Sequence, residues 1–352
     1  MSEQEVTARP GGSPFRKRAA RTLGRLAMRV FVPPLQRLPL SAGRVMGRSL
    51  GSLTFRLLPR YRNAAIKNLN LIYGKECTEQ ERMAMARAVF RHFGQVGAEF
   101  LKLPRMSDAT VTRMATVHGI ENLDEALAMG AGVLLITGHF GNWEFMARWL
   151  TVHKYPLNVV ARDARDPVAT KLVADTRGKN GANVLYRGNS ARAVLGCLKK
   201  REIVAILPDQ NAADIYVPFL GVLTGTVDGP AIIHLKTRAP ILFAWCVRTA
   251  DGRFEITFDP PVLIESTGQK AVDVAKVMTE INDRLGQWIR RYPTQWLWLH
   301  NRWKASPGVF LEHSSSEVNL ETEIETVITS DPETFAQASV REAGNKNDPT
   351  VS

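Results

Sequence analysis

Short apolar runs alternate with longer amphipathic stretches from about residue 115 to residue 305. Short apolar runs bounded by turn residues are typical of buried strands, and strands that alternate with helices indicate an α/β fold. Six such runs predict strands, at residues 132–137, 157–161, 183–186, 202–207, 239–247 and 254–258. We therefore expect an α/β protein with a central, mostly mixed sheet flanked by helices.

The first third of the chain has a different pattern, with apolar and basic residues at helical spacing. Residues 15–105 predict helices that are broken at Pro33 and Pro34 and again at Pro39, and that restart at Ser41. Thr78 followed by Glu81 matches a capping box and predicts another helix start.

The composition of both ends of the chain predicts disorder. Residues 1–14 are polar with Pro and Gly, and residues 313–352 hold eight acidic residues against Arg341 and Lys346. We divide the chain into a disordered N-terminus (1–14), a basic helical membrane-docking region (15–110), a catalytic α/β domain (111–310) and an acidic disordered tail (311–352).

The net charge of +12 originates in the N-terminal part. Residues 1–70 carry fourteen Arg and Lys against Glu3 and Glu5. Apolar residues are dense between these arginines, which a nucleic-acid-binding arm does not need, and the combination is typical of helices in an anionic membrane interface. Ordinary amphipathic helices packed on a core would show the same pattern. Because no uncharged apolar run reaches roughly 18 residues, we expect peripheral or monotopic attachment rather than a spanning helix.

Cysteine usage indicates a reducing compartment. Cys77, Cys197 and Cys246 are scattered without metal-type spacing, so the sequence predicts neither a disulfide framework nor a metal site. The N-terminus also lacks the pattern of a secretory signal peptide.

One stretch, TGHFGNWE at residues 137–144, combines a histidine, two glycines and a carboxylate at a predicted strand-to-helix turn. On a continuous helix, His139 and Glu144 would lie on different faces, about 140° apart. The glycines Gly138 and Gly141 permit a tight turn, Asn142 is a candidate N-cap, and Glu144 then lies in the first helical turn. From there its carboxylate can fold back to the imidazole.

A histidine oriented by a carboxylate can act as a general base. If Glu144 accepts the Nδ1 proton, Nε2 of His139 can deprotonate a substrate hydroxyl, which then attacks an acyl group without any protein nucleophile. The alternative is a hydrogen-bonded core histidine beside a carboxylate that only stabilises the helix N-terminus. The combination of residues at a strand end favours the catalytic interpretation.

The motif also resembles a known family. GHFGNWE is similar to the first sequence block of the lipid A biosynthesis (late, secondary) acyltransferases, a family that includes phosphatidylinositol mannoside acyltransferases, within the wider glycerolipid acyltransferases. The resemblance extends to four other stretches, NLNL (68–71), PDQ (208–210), VPFLG (217–221) and PTQWLWLHNRWK (293–304). The family's usual hydrophobic N-terminal anchor is interrupted here by arginines and prolines.

The resemblance implies a role for several residues. His139 would be the base, Glu144 its orienting partner, Arg177 an oxyanion stabiliser near the acyl carbonyl, and Asp209 a support for the histidine or a ligand of an acceptor hydroxyl. Solvated or turn residues would look the same at Arg177 and Asp209. Candidate substrate contacts are Asn142, Arg162, Arg165, Gln210, Phe219 and Thr226, with Arg302 expected to contact anionic lipid or a carrier protein.

We therefore expect an O-acyltransferase on the cytoplasmic face of the bacterial inner membrane. It would move a fatty acyl group from an acyl carrier protein or coenzyme A thioester to a hydroxyl of a membrane glycolipid, a lipid A precursor, with no cofactor, no metal and no nucleic-acid partner. The alternatives are a phosphatidylinositol mannoside or lysophospholipid acyltransferase, a non-catalytic lipid-binding protein of the same fold, and a nucleic-acid-binding protein.

Overall fold

The computed structural model describes Thr22, Val30 and residues 32–161, 167–186 and 190–306. The disorder predicted for residues 1–14 and 311–352 and the substrate contacts predicted for Arg162 and Arg165 lie outside the described residues. The division of the chain into four segments stays a prediction.

Besides the helical residues 32–37, the described residues form ten α-helices, nine strands and two short 3₁₀ helices. The helices are α1 Leu40–Leu57, α2 Pro59–Tyr73, α3 Glu79–Lys102, α4 Asp108–Met114, α5 Ile120–Ala128, α6 Trp143–Val152, α7 Pro167–Lys179, α8 Ser190–Lys199, α9 Gly229–Thr237 and α10 Lys270–Arg291. The strands are β1 Ala115–His118, β2 Val133–Ile136, β3 Leu157–Ala161, β4 Asn183–Tyr186, β5 Ile203–Ile206, β6 Ile215–Phe219, β7 Val222–Thr226, β8 Ile241–Arg248 and β9 Phe254–Phe258. The 3₁₀ helices are Leu103–Arg105 and Pro293–Gln295.

Seven strands form one central sheet in the order β1-β9-β8-β2-β5-β3-β4. Neighbouring strands are parallel except β8 and β9, which are antiparallel. The α/β class with a mixed sheet is confirmed, and all six predicted strands are present. Three strands were not predicted: β1 at the sheet edge and the separate hairpin of β6 and β7.

The sheet is buried on both faces, which explains the continuous apolar runs. In β2, Leu134 and Ile136 pack into one apolar cluster with α10, whereas Val133 and Leu135 pack into a second cluster with α6. A strand covered on both faces cannot alternate polar and apolar residues, so β2 consists entirely of buried aliphatic side chains.

Helices α1 and α3 approach each other closely through glycines. A Cβ on Gly47 would lie 2.4 Å from the carbonyl oxygen of Gly94, and one on Gly51 would lie 2.1 Å from that of Phe90. These distances are too short for any side chain, so the pairing of α1 with α3 depends on glycine at both positions.

The predicted start of α3 is confirmed, whereas one predicted helix break is wrong. Thr78 and Glu81 form the reciprocal capping box. Residues 32–37, which include Pro33 and Pro34, are helical, and the chain leaves the helix only at residues 38–39. Val30 is also helical, and a proline inside a helix removes one backbone hydrogen bond and can kink the helix without ending it. The Nζ of Lys102 donates to carbonyls at the end of this segment, those of Leu35 and Leu38.

The outer side of α1 and the start of α2 exposes apolar residues beside basic ones. The exposed apolar side chains are Val45, Leu50, Leu53, Leu57, Leu58 and Tyr61. Arg48, Arg56 and Arg60 are exposed on the same two helices. Within the described part of the chain, no helix combines the length and apolar composition needed to cross a bilayer.

Candidate active site

The TGHFGNWE motif forms the turn between β2 and α6. Asn142 is the N-cap of α6, and its side chain accepts the backbone N–H of Phe145 over 3.0 Å. Gly141 has a φ of 57°, and a Cβ there would lie 1.8 Å from the carbonyl oxygen of Cys246. The predicted turn and N-cap are confirmed, and Glu144 lies in the first turn of α6 as expected.

The PTQWLW stretch holds this turn from the other side. The backbone N–H of Gly141 donates to the carbonyl of Gln295 over 2.7 Å, and that of Leu297 donates to the carbonyl of His139 over 3.0 Å. Asn68, from the NLNL stretch, donates to the carbonyls of Trp298 and His300. The PTQWLW stretch therefore restrains the turn and the backbone of His139, and the NLNL stretch in turn binds the segment that follows PTQ.

Asp209 binds His139 at two points. The Nδ1 of His139 lies 2.8 Å from Oδ1 of Asp209, and the backbone N–H of His139 donates to Oδ2 over 2.7 Å. The indole N–H of Trp296 donates to the same Oδ2 over 2.9 Å. A carboxylate at Nδ1 selects the tautomer that carries its proton there, so Nε2 has the lone pair that a general base needs.

The environment of Asp209 favours its ionised form. Burial alone would raise the pKa of this carboxyl group, but the charge on His139 and the hydrogen bonds from His139 and Trp296 together lower the pKa below its usual value. Asp209 is therefore negatively charged at neutral pH and stabilises the imidazolium that forms when His139 takes a proton.

The expected contact between Glu144 and His139 is not observed, which corrects the sequence-based assignment. Glu144 instead forms an ion pair with Arg177, whose Nη2 and Nε lie 2.5 and 3.1 Å from Oε1 of Glu144. The indole N–H of Trp143 also donates to this oxygen over 3.0 Å. Glu144 points to the α7 side of the turn, and Asp209 is the hydrogen-bond partner of Nδ1 of His139.

The ion pair orients Arg177 at the site. The side chains of Arg177 and Glu144 are 17% and 8% exposed, so the pair is largely shielded from water. Glu144 binds the Nε and Nη2 edge of the guanidinium, which leaves Nη1 outside the ion pair. Arg177 and His139 both line the same cleft.

The cleft has a volume of about 650 Å³. It lies over the carboxyl ends of β2, β3, β4 and β5, the edge at which open α/β sheets bind ligands. The lining is mostly aliphatic, with Val159, Val160, Val173, Val194, Ile232 and Ile233 among its residues. Gln210, a predicted substrate contact, lines the cleft, and Asp214 and Asp228 are further polar residues of its wall.

Three predicted substrate contacts are wrong. Asn142 is fully buried, and its amide donates to Glu99 over 2.7 Å. Phe219 is fully buried and packs on Trp296 and Trp303. Thr226 is also fully buried. All three stabilise the fold around the cleft instead of lining it.

The expected lipid contact of Arg302 is also wrong. Arg302 is fully buried, and its guanidinium donates to Gly225 and Thr226. Burial lowers the pKa of Arg302 to about 10, so the side chain is still charged at neutral pH. Hairpin residues that looked available for substrate are internal because the 296–305 segment folds over β6 and β7.

Sequence analysis missed a buried polar network behind the turn. Glu99 is 2% exposed and accepts hydrogen bonds from Arg248 over 2.5 Å and from Asn142 over 2.7 Å. His92, two turns before Glu99 on the same side of α3, binds the carbonyl of Gly141 through Nε2 over 3.0 Å. The available signal was the seven-residue spacing of His92 and Glu99, which places two polar side chains on the apolar side of one helix.

The described residues contain no group of three or more His, Cys, Asp or Glu side chains that could hold a metal ion. The fold, the His139–Asp209 pair and the apolar cleft together fit one class of protein, the acyltransferases.

The chain belongs to the bacterial lipid A biosynthesis acyltransferase family, whose model matches residues 16–305. It is 28% identical over 267 residues to the lipid A biosynthesis palmitoleoyltransferase of Escherichia coli (strain K12), covering 74% of this chain and 85% of the relative. It is 26% identical over 270 residues to the lipid A biosynthesis lauroyltransferase of the same strain, with coverage of 74% and 85%.

The name of a third relative specifies a different acceptor. The chain is 27% identical over 227 residues to the phosphatidylinositol mannoside acyltransferase of Mycobacterium tuberculosis (strain CDC 1551 / Oshkosh), covering 62% of this chain and 70% of the relative. The resemblance inferred from the motifs is confirmed, and the protein is an O-acyltransferase.

Proposed function

We propose that the protein transfers a fatty acyl group from a thioester, carried by an acyl carrier protein or coenzyme A, to a hydroxyl of a lipid A precursor at the cytoplasmic face of the bacterial inner membrane. The observation that carries this proposal is the His139–Asp209 pair beside a largely aliphatic cleft. The names of two of the relatives above support lipid A as the acceptor class.

His139 would act first as a base and then as an acid. Its Nε2 takes the proton of the acceptor hydroxyl while the oxygen attacks the thioester carbonyl, and the negative charge of Asp209 stabilises the imidazolium. The C–S bond then breaks, the ester forms, and the imidazolium protonates the leaving thiolate. The base is regenerated, and no oxidant, metal or further reactant is consumed.

Arg177 would stabilise the negative charge that develops on the carbonyl oxygen. A donor that is already oriented gains more from a charge that appears only in the transition state than a mobile donor does. Glu144 supplies that orientation through its hydrogen bonds to the Nε and Nη2 edge of Arg177. In this proposal Glu144 contributes by positioning Arg177, and His139 depends on Asp209.

The cleft would accept the acyl chain. Its aliphatic wall contains Val194 from α8 and Ile232 and Ile233 from α9, and a fatty acyl chain gains about 0.8 kcal/mol for each methylene group that it buries. The exposed apolar and basic residues of α1 and α2 would lie in the membrane interface, with arginines on anionic head groups.

An acyl-transfer assay with mass spectrometry of the lipid products tests this proposal. Wild-type protein, H139A and H118A would be incubated with acyl-acyl carrier protein, acyl-coenzyme A and membrane acceptors of the lipid A precursor, phosphatidylinositol mannoside and lysophospholipid classes. H118A is the matched control because His118 is exposed on β1.

We expect H118A to be fully active and H139A to lose transfer by on the order of 100-fold or more, the typical contribution of a general base. Near-normal transfer by H139A would refute the base. A product only with one of the other acceptors would keep the mechanism and replace the lipid A assignment. No transfer and no thioester hydrolysis by folded wild-type protein would indicate a non-catalytic lipid-binding protein.

A further inference from the structure

The two oxygens of Asp209 have different partners. Oδ1 is 2.8 Å from Nδ1 of His139, whereas Oδ2 accepts the N–H of Trp296 over 2.9 Å and the backbone N–H of His139 over 2.7 Å. Since Asp209 is 3% exposed, water does not compete strongly for these bonds. Trp296 is thus the one described side chain other than His139 that donates to this carboxylate.

Trp296 is held in place by its surroundings. Its side chain is 1% exposed, and its ring meets that of Trp298 edge-on, with 4.8 Å between ring centroids and 86° between planes. Its backbone forms an isolated β-bridge with Phe140, the residue after the base. The indole N–H and the turn that carries His139 therefore belong to one rigid unit.

A fixed donor at Oδ2 has two effects on the pair. It prevents the carboxylate from rotating, which keeps Oδ1 directed at the imidazole. It also draws negative charge toward Oδ2, which makes the carboxylate a weaker base and reduces its stabilisation of the imidazolium. Both effects act on the reaction only through Asp209.

We propose that Trp296 is a positioning residue for the His139–Asp209 pair, and that its indole N–H sets the pH range in which His139 acts as a base. This inference rests on the proposed function, because it requires His139 to be that base.

The single indole N–H of Trp296 donates to Asp209, so no other charged group near the pair loses a hydrogen bond when that N–H is removed. Arg302 is buried in the segment that follows Trp296, and its charge interacts with Asp209. Glu144 on α6 neutralises Arg177 on α7. Across the cleft, Asp214 and Asp228 line the wall that includes α9. A shift in the pH profile after removal of the indole N–H would therefore report on its bond to Asp209.

The test compares W296F with W298F in the purified full chain. Trp298 is equally buried in the same aromatic cluster, but its indole N–H donates to the carbonyl of Pro293 over 2.7 Å. Both variants lose an indole ring and one hydrogen bond, and only W296F removes a donor from Asp209. The readouts are the pH dependence of kcat/KM and the thermal midpoint of unfolding.

For W296F we expect the acid limb of kcat/KM to move to higher pH by about one unit, the scale of one hydrogen bond to a charged group, so that kcat/KM on that limb falls by up to about tenfold. The direction follows because a more basic carboxylate holds the imidazolium proton more tightly. W298F is expected to keep the acid limb of wild-type protein. An acid limb at the same pH in wild-type protein, W296F and W298F would overturn the inference.

A second replacement covers the case in which W296F does not fold. Benzothienylalanine at position 296 keeps the bicyclic ring and replaces only the N–H by sulfur, so the same shift is expected and its absence would again overturn the inference. H139A is measured in parallel. If H139A is inactive and the variants at position 296 keep the wild-type acid limb of kcat/KM, only the role of Trp296 is refuted. If H139A is active, the proposed function itself is refuted.

Discussion

Replacing Asp209 by asparagine tests the catalytic pair most directly, because the substitution keeps the shape and removes the charge. Two N–H groups point at the Oδ2 side, those of Trp296 and of the His139 backbone, and one nitrogen points at the Oδ1 side. The amide oxygen is therefore expected on the Oδ2 side, where it accepts both N–H groups. The amide NH₂ then faces Nδ1 of His139, which must accept, and the ring proton moves to Nε2.

The expected loss is large because Nε2 can no longer accept a proton in that tautomer. In serine-protease triads the same exchange lowers kcat on the order of 10⁴-fold. Asp209 also stabilises the imidazolium by its charge, and that contribution disappears with the tautomer. We expect D209N to lower kcat on the order of 10³- to 10⁴-fold, or about 4 to 5.5 kcal/mol of transition-state stabilisation.

The assay is single-turnover acyl transfer at saturating donor, with the melting temperature measured on the same samples. D214N is the matched control, since Asp214 lines the same cleft and should tolerate the change with little loss. A D209N variant that folds and retains kcat within tenfold of wild-type protein would refute the assignment of Asp209.

The variant E144Q distinguishes the catalytic role of Glu144 from that of Asp209. It weakens the ion pair with Arg177, so we expect a lower kcat with no movement of the acid limb of kcat/KM. If instead E144Q moves the limb and D209N does not, Glu144 orients the base and the geometry described above does not represent the catalytic state.

Two further predictions concern the membrane and the buried histidine. Replacing Leu53 and Leu57 together by glutamate should abolish flotation with anionic vesicles, because both side chains are exposed on α1. The control is L263E, since Leu263 is 48% exposed in a loop. Equal flotation of the two variants would contradict the assignment of α1 as the membrane-docking surface. His92 has its pKa lowered from 6.5 to about 4, by burial first and by the charge of Arg248 second. The unfolded state therefore binds the proton first as the pH falls, so the free energy of unfolding should decrease between pH 6.5 and about 4, by at most roughly 3 kcal/mol. Urea unfolding of H92Q, whose amide can still donate to Gly141, should lack that pH dependence, and an unchanged slope would contradict it.

The sequence by itself determined the features that depend on neighbours a few residues apart. The apolar runs predicted six strands, the capping box at Thr78 predicted the start of α3, and the glycines with Asn142 predicted the turn between β2 and α6. Periodicity, capping and turn chemistry act within about one helical turn or one strand, so they can be read without the fold. The family-like stretches added the class of enzyme.

Only the tertiary structure decided which groups meet at the site. His139 pairs with Asp209, 70 residues away, because β2 and β5 are adjacent in the sheet and end at the same edge. Glu144, only five residues from His139, turns to Arg177 because helix α6 carries it to the α7 side. Phe219 and Thr226 are internal because the segment from Trp296 to Ala305 covers their hairpin. Short sequence separation makes a local contact possible but does not ensure it. Strand order and burial decide which partner each charged group has, because a buried charge must be paired.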